Sequence, residues 1–151
     1  MSVRKHFPDL PPIWTAGFAV ALYLVAQFVP VVEFGFPGLN LLAYAVSAAG
    51  LALILWSALW FRRKKTTIEP FNRPSSLIVE GPYRINRNPI YLGMFIILLG
   101  IALWLGAASA VALCLLFPVI ITRRFIANEE KDLREIFGAE AEDYFSKTRR
   151  W

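Results

Sequence analysis

The sequence has little cysteine and little histidine, and both shortages limit the chemistry it can carry. Its single cysteine, Cys114, lies within a long apolar segment, so no internal disulfide is expected. Its single histidine, His6, lies close to the N-terminus, which leaves the later polar segments without an imidazole to act as a general base. Because neither a CxxC motif nor a Cys/His cluster occurs, the sequence predicts no metal site.

Charge is also missing from three long segments. The 151 residues are 57% hydrophobic, and a soluble domain of this size has too little interior for so much apolar surface. No charged residue occurs in 13–29, 39–61 or 89–122. The hydrocarbon core of a bilayer, about 30 Å thick, is crossed by about 20 apolar residues in a helix. The sequence therefore predicts an all-α integral membrane protein that contacts the lipid bilayer.

The third apolar segment is too long for one helix and contains the small residues Gly106, Ala107 and Ala108. A tight turn at Gly106 would divide it into a helical hairpin. The first segment is expected to be a retained span, since no small-x-small cleavage site follows it. We predict a single domain, 1–151, with four spans at about 13–30, 39–61, 89–105 and 107–122, a loop at 62–88 and a tail at 123–151.

The basic residues indicate an orientation. Sixteen lysines and arginines outnumber eleven aspartates and glutamates, and they occur near the N-terminus, between 62 and 87, and between 123 and 150. The connections 30–38 and 105–109 contain none. By the positive-inside rule, both termini and the middle loop are predicted to be cytoplasmic, with a bacterial inner membrane as the expected location. Because these residues adjoin helix ends, no nucleic-acid partner is expected.

Residues 80–93 read EGPYRINRNPIYLG, a stiff and cationic stretch before the third span. Its glycines and prolines restrict the backbone, and Pro89 suits the first turn of a helix. Each polar residue has two interpretations at this point, one structural and one as a ligand contact. The structural interpretations are positive-inside residues for Arg84 and Arg87, interfacial aromatics for Tyr83 and Tyr91, and a helix cap for Asn88.

The tail is predicted to begin with an amphipathic helix over 123–137, ended by Gly138, and to continue with a short helix over 139–149. Glu129 falls near the middle of the apolar face and Glu130 at its edge. A carboxylate on a buried face is costly unless a cation or a donor meets it. Glu129 is therefore expected either to bind a ligand or to form a salt bridge with Arg84, Arg87 or Arg123.

Taken together, these motifs are specific. Gly-Pro-Tyr-Arg-x-x-Arg-Asn-Pro-x-Tyr-Leu-Gly before a helical hairpin, followed by Glu-Glu-x-x-Leu-x-x-x-Phe-Gly, a tyrosine and a closing Arg-Trp, resembles the isoprenylcysteine carboxyl methyltransferase family, which belongs with the membrane phospholipid methyltransferases. The resemblance covers about residues 66–151. It implies a membrane enzyme that uses S-adenosylmethionine (SAM), bound on the cytoplasmic side by the loop, the hairpin and the tail.

The resemblance also implies the site residues. Arg87 and Glu130 are the implied catalytic residues. The family motif has a histidine where this chain has Asn88, which keeps a donor and an acceptor but cannot titrate. Hydrogen bonding to a cofactor is therefore expected to persist, whereas proton transfer at this position is not. The implied cofactor-binding residues are Gly81, Pro82, Tyr83, Arg87, Asn88, Pro89, Tyr91, Gly93, Glu129 and Glu130.

The methyl acceptor stays open. The resemblance implies a lipophilic molecule that enters between helices: an isoprenylcysteine-like carboxylate, a phospholipid amine or a thiol. Two other functions are also considered, namely an NADPH-dependent membrane reductase of related architecture and a non-catalytic membrane interaction protein. Preference for SAM over NADPH would separate the two enzymes, and a folded protein that binds neither would favour the interaction protein.

Overall fold

The structure is a computed structural model that describes residues 9–64 and 76–151. His6 and residues 65–75 of the predicted loop lie outside the described residues. The described chain is helical, without a β-strand in these two ranges, which confirms the all-α prediction. Its elements are α1 Pro11–Phe28, α2 Leu39–Lys64, a 3-10 helix Gly81–Arg84, α3 Pro89–Leu105, α4 Ala108–Cys114, α5 Phe117–Ile121, a π-helix Thr122–Ile126, α6 Ala127–Phe137 and α7 Ala139–Lys147.

Three helical segments are long and apolar enough to cross a membrane. They are α1, α2 and a continuous rod, Ala108–Phe137, that comprises α4, α5, the π-helix and α6. Helix α3 has 17 residues, or about 26 Å at 1.5 Å per residue, slightly less than the hydrocarbon core. The chain is therefore an integral membrane protein, while the count of four spans stays a prediction.

The predicted turn of the hairpin is present at Gly106. This glycine ends α3 in the left-handed region, with φ of 64°, and its N–H donates to the carbonyls of Ala102 and Leu103. A Cβ here would lie 2.6 Å from the carbonyl oxygen of Phe34. The same connection is held from the other side, because the Phe34 N–H donates to Gly106 O at 2.7 Å. Close backbone approach and a positive φ both require glycine at this position.

The last predicted span and the first predicted tail helix belong to one helical segment in the structure. The sequence predicts a span to residue 122 and a tail helix over 123–137, and the helical segment Ala108–Phe137 runs through this boundary, with a turn at 115–116 between α4 and α5. A π-helix occupies Thr122–Ile126, where the apolar segment meets the polar tail. Its i→i+5 bonding changes the phase between the residues before and after it. The predicted stop is present, since Gly138 has φ of 51° and separates α6 from α7.

Glycines let α2 and α3 approach closely. A Cβ at Gly50 would lie 2.6 Å from Gly93 O, and a Cβ at Gly100 would lie 2.8 Å from Ala43 O. Such small residues are typical of membrane helix interfaces, where backbones must come close for van der Waals contact. This contact fixes the position of the first turn of α3, where the site described below begins.

The remaining core joins α1 to the hairpin. Leu22 of α1, Leu98 of α3 and Phe117 of α5 are each fully buried. The ring of Phe18 meets the ring of Phe117 edge to face, with centroids 5.2 Å apart. The rod Ala108–Phe137 is therefore packed against both α1 and α3 in its apolar half.

We expect Gly100→Ala to lower the free energy of unfolding by about 1–3 kcal/mol, because the added methyl group overpacks the α2–α3 contact. The measurement is unfolding of the purified protein in detergent micelles. Gly17→Ala is the matched control, since a Cβ at Gly17 in α1 meets nothing within 4 Å. Equal stability of the two variants would contradict the close packing of α2 on α3.

Candidate functional site

The loop before α3 starts with a 3-10 helix, Gly81–Arg84, that rests on the end of α2. Gly81 has φ of 61°, and a Cβ there would overlap the indole of Trp60. Tyr83 is buried, and its ring meets Phe61 edge to face at 5.6 Å. The Tyr144 hydroxyl donates to Tyr83 O at 2.7 Å, which ties α7 to this loop.

Burial raises the pKa of both Tyr83 and Tyr144. The two phenols therefore stay neutral at any physiological pH. For Tyr144 this preserves the donor of the hydrogen bond to the Tyr83 carbonyl. This hydrogen bond between α7 and the loop is thus kept at physiological pH.

Residues 86–88 pair with the chain just after α7. The Arg87 N–H donates to Arg149 O at 2.8 Å, and the Asn88 side-chain amide donates to Arg150 O at 3.1 Å. The Asn88 N–H in turn donates to Asn86 Oδ1 at 2.7 Å. Asn88 occupies the N-cap position of α3, yet its side chain makes no capping hydrogen bond. Its amide instead joins the loop to segment 148–151.

Glu130 is a buried carboxylate held by two arginines. Only 3% of the residue is exposed. Arg150 donates to both of its oxygens, at 2.9 and 2.6 Å, and Arg87 Nη1 lies 3.5 Å from Oε1. The hydrogen bond to this carboxylate raises the pKa of Arg150, so the guanidinium stays charged. A bidentate arginine and a second cation together offset the cost of burying this charge.

Glu129 has a different environment from its neighbour. It is half-buried, and its Oε1 accepts a hydrogen bond of 2.5 Å from the Tyr91 hydroxyl. No lysine or arginine of the described ranges lies within ion-pair distance of this carboxylate. The predicted salt bridge to Arg87 is therefore made by Glu130, and Glu130 rather than Glu129 is the more buried. The prediction treated 123–137 as one regular helix, whereas the π-helix changes the phase within it.

The side chain of Arg87 has an N–H donor without a partner in the described chain. Its side chain is 15% exposed, and its guanidinium carbon lies 4.8 Å from the centroid of the Phe145 ring. Its Nε is buried and has no hydrogen-bond partner in the described part of the chain. A guanidinium with a free N–H is suited to a carboxylate. The site thus combines the Glu129 carboxylate, which has no cationic partner in the described chain, with a buried Arg87 N–H that has no hydrogen-bond partner there.

Three of the predicted site residues have structural roles in the fold. Pro82 and Pro89 are fully buried, and Pro89 occupies the first turn of α3 as expected. Gly93 faces α2, where a Cβ would lie 2.6 Å from Ile54 Cγ1. Helix packing is thus sufficient reason for a glycine at 93, and the predicted cofactor contacts of these three residues stay predictions.

Sequence reasoning missed the contribution of segment 148–151 and its partners. Arg150 is the main partner of Glu130, and Trp151 Nε1 donates to Thr122 Oγ1 at 2.9 Å. The only sequence signal was the closing Arg-Trp of the motif, which carries no information about its partner. No periodicity links residue 150 to residue 130, so the pairing is visible only in the folded chain.

Comparison with known proteins identifies a family whose match includes the candidate site. A family model described as "Phospholipid methyltransferase" matches residues 39–140, which is more than half of the chain and includes every predicted site residue. An uncharacterised protein of Haemophilus influenzae is 40% identical over 62 residues, covering 41% of this chain and 98% of that protein. No solved structure matches the chain.

We expect Arg150→Ala to lower the free energy of unfolding by about 1–3 kcal/mol, because Glu130 then loses two charge-assisted hydrogen bonds while buried. Unfolding in detergent micelles measures the change. Arg149→Ala is the matched control, since Arg149 has an exposed side chain and bonds the loop through its backbone carbonyl. The control should change stability by no more than about 0.5 kcal/mol. Equal effects of the two substitutions would contradict the role assigned to the Arg150 side chain.

Proposed function

Since the chain belongs to the phospholipid methyltransferase family, we propose that it is a SAM-dependent methyltransferase acting on a lipophilic acceptor at the membrane. Family membership confirms the predicted relation to the membrane phospholipid methyltransferases. The isoprenylcysteine subfamily, SAM as the cofactor and the identity of the acceptor belong to the proposal.

The observation that carries the proposal is the unequal environment of the two adjacent glutamates. Glu130 is compensated by Arg150 and Arg87, whereas the Glu129 carboxylate has only the Tyr91 hydroxyl as a partner in the described chain. A partly buried carboxylate without a cation is suited to a ligand that brings one. SAM carries an ammonium and a sulfonium, and either fits Glu129.

Arg87 supplies the complementary group. Its Nε is buried without a partner, and its contact with Glu130 is long, at 3.5 Å. The carboxylate of a bound SAM would suit this donor. The residues present therefore fit both charged groups of the cofactor's amino-acid part. The amide of Asn88 is already engaged with Arg150 O, which gives it a supporting role in this pocket.

In this proposal Glu130 is a positioning residue and Arg87 a cofactor ligand. Glu130 acts through the arginines that it holds, because its two oxygens are occupied by Arg150. When bound, SAM supplies a methyl group activated by its positive sulfur. The residues of the chain contribute by fixing the cofactor and orienting the acceptor, and positioning of this kind accounts for much of the rate in a displacement reaction.

The three proposed acceptor classes differ in their need for a base. A carboxylate is already a nucleophile at neutral pH, whereas a thiol or an ammonium must first lose a proton. The described ranges contain no histidine to take that proton. A lipophilic carboxylate, an isoprenylcysteine-like one included, is therefore the acceptor that this site suits best. The phospholipid amine and the thiol are outcomes of the acceptor screen.

The position of the site relative to the membrane follows from α3 and the rod Ala108–Phe137. The site adjoins the first turn of α3 and the polar half of the rod, so it lies at the end of the apolar segments. We propose that this end is cytoplasmic, by the positive-inside rule, and that the membrane is a bacterial inner membrane. A soluble cofactor would then reach the site from the cytoplasm and a lipophilic acceptor from the bilayer.

Calorimetry on the detergent-purified protein tests the proposal, with SAM, S-adenosylhomocysteine and NADPH as ligands. Saturable one-to-one binding of the first two, without NADPH binding, supports a methyltransferase and leads to an acceptor screen. Binding of NADPH alone would replace the proposal with a reductase. A folded protein that binds none of the three would favour a non-catalytic interaction protein.

We expect Glu129→Gln to weaken SAM binding more than about tenfold, equivalent to about 1.4 kcal/mol, because the amide keeps a partner for Tyr91 but removes the negative charge. Calorimetry measures the dissociation constant. Glu135→Gln is the control, since that carboxylate lies six residues further along α6 and is exposed. Weakening of S-adenosylhomocysteine as well would identify the ammonium as the partner, and an unchanged SAM affinity would contradict the assignment.

Asn88→His is expected to retain SAM binding within about threefold. An imidazole N–H can replace the amide donor that bonds Arg150 O, and the family motif has histidine at this position. The same calorimetric titration measures the effect. Loss of binding in a folded Asn88→His protein would mean that this pocket is built differently from that of the family.

A further inference from the structure

Helix α7 places an aromatic ring beside the site. Phe145 is half-buried, and its ring centroid lies 4.8 Å from the guanidinium carbon of Arg87 and 4.8 Å from that of Arg134. The neighbouring ring of Tyr144 is 5.9 Å away. None of the motifs that predicted the site includes Phe145.

We propose that Phe145 is a positioning residue that holds the Arg87 guanidinium open for a carboxylate-bearing ligand. The proposal rests on the function proposed above, in which Arg87 binds the carboxylate of SAM. It adds the residue that keeps Arg87 available for that contact.

The competition for Glu130 shows why such a residue is needed. Arg87 and Arg150 share this buried carboxylate, but Arg150 takes both oxygens at 2.9 and 2.6 Å while Arg87 stays at 3.5 Å. In a partly buried site the attraction of Glu130 for a mobile guanidinium is strong. Contact with an aromatic face restrains a guanidinium without using any of its N–H donors. The Arg87 Nε is accordingly buried yet without a partner in the described chain.

The ring itself is held independently of Arg87. The Tyr144 hydroxyl fixes α7 to the loop through Tyr83 O, and Arg134 Nε donates to Glu142 Oε1 at 2.7 Å, which joins α6 to α7. The backbone of Arg87 is also anchored, because its N–H donates to Arg149 O. With both backbones fixed, the ring–guanidinium contact sets the direction of the side chain.

The test compares SAM with decarboxylated SAM, which lacks the carboxylate assigned to Arg87. We expect Phe145→Leu to weaken SAM binding at least about fivefold in calorimetry and to change the affinity for decarboxylated SAM by less than about twofold. Phe145→Trp keeps an aromatic face and should restore SAM binding. Phe36→Leu is the matched control, because it makes the same change at an exposed phenylalanine in the connection between α1 and α2.

The outcomes separate this inference from the proposed function. If the unchanged protein binds no SAM, both are overturned. If it binds SAM and Phe145→Leu leaves that affinity unchanged, or weakens both ligands equally, the positioning role alone is overturned. Should the leucine variant not fold, Phe145→Met, whose unbranched side chain adapts more easily to the space left by the ring, permits the same comparison between the two ligands.

Discussion

The rest of the site depends on the buried charge of Glu130. Removing a carboxylate from water costs several kcal/mol unless a cation meets it with good geometry, and the bidentate contact of Arg150 supplies that cation. The same contact brings segment 148–151 against the loop before α3. There the carbonyls of Arg149 and Arg150 accept bonds from the Arg87 N–H and the Asn88 amide. The ion pair thus joins α6 to segment 148–151, and the two hydrogen bonds join that segment to the loop.

This ion pair also decides which groups are left for a ligand. Because Arg150 occupies both oxygens of Glu130, Arg87 lies at the longer distance of 3.5 Å from that carboxylate, and its guanidinium also contacts the ring of Phe145. Glu129, the residue before Glu130, accepts a hydrogen bond from the Tyr91 hydroxyl and has no cationic partner in the described chain. The proposed function assigns a zwitterionic methyl donor to these two groups: the Glu129 carboxylate, which has no cationic partner in the described chain, and the Arg87 Nε, which has no hydrogen-bond partner there.

Packing within the apolar segments brings these polar groups to one place. Close contact of Gly50 with Gly93 fixes α3 against α2, and therefore the position of Tyr91 in the first turn of α3. Glu129 comes from the far end of the rod Ala108–Phe137, which packs on α1 and α3 along its apolar half. The π-helix between the two halves sets which side of α6 faces the loop.

The sequence by itself determined the features that depend on nearby residues: the uncharged runs that form the membrane helices, the turn at Gly106 and the stop at Gly138. Hydrophobic length and backbone conformation act within a few positions, so a single chain is enough to predict them. Only the tertiary structure decided that Glu130 is the compensated glutamate. That outcome needs a partner 20 residues away and a helical phase altered by the π-helix, and neither leaves a local pattern.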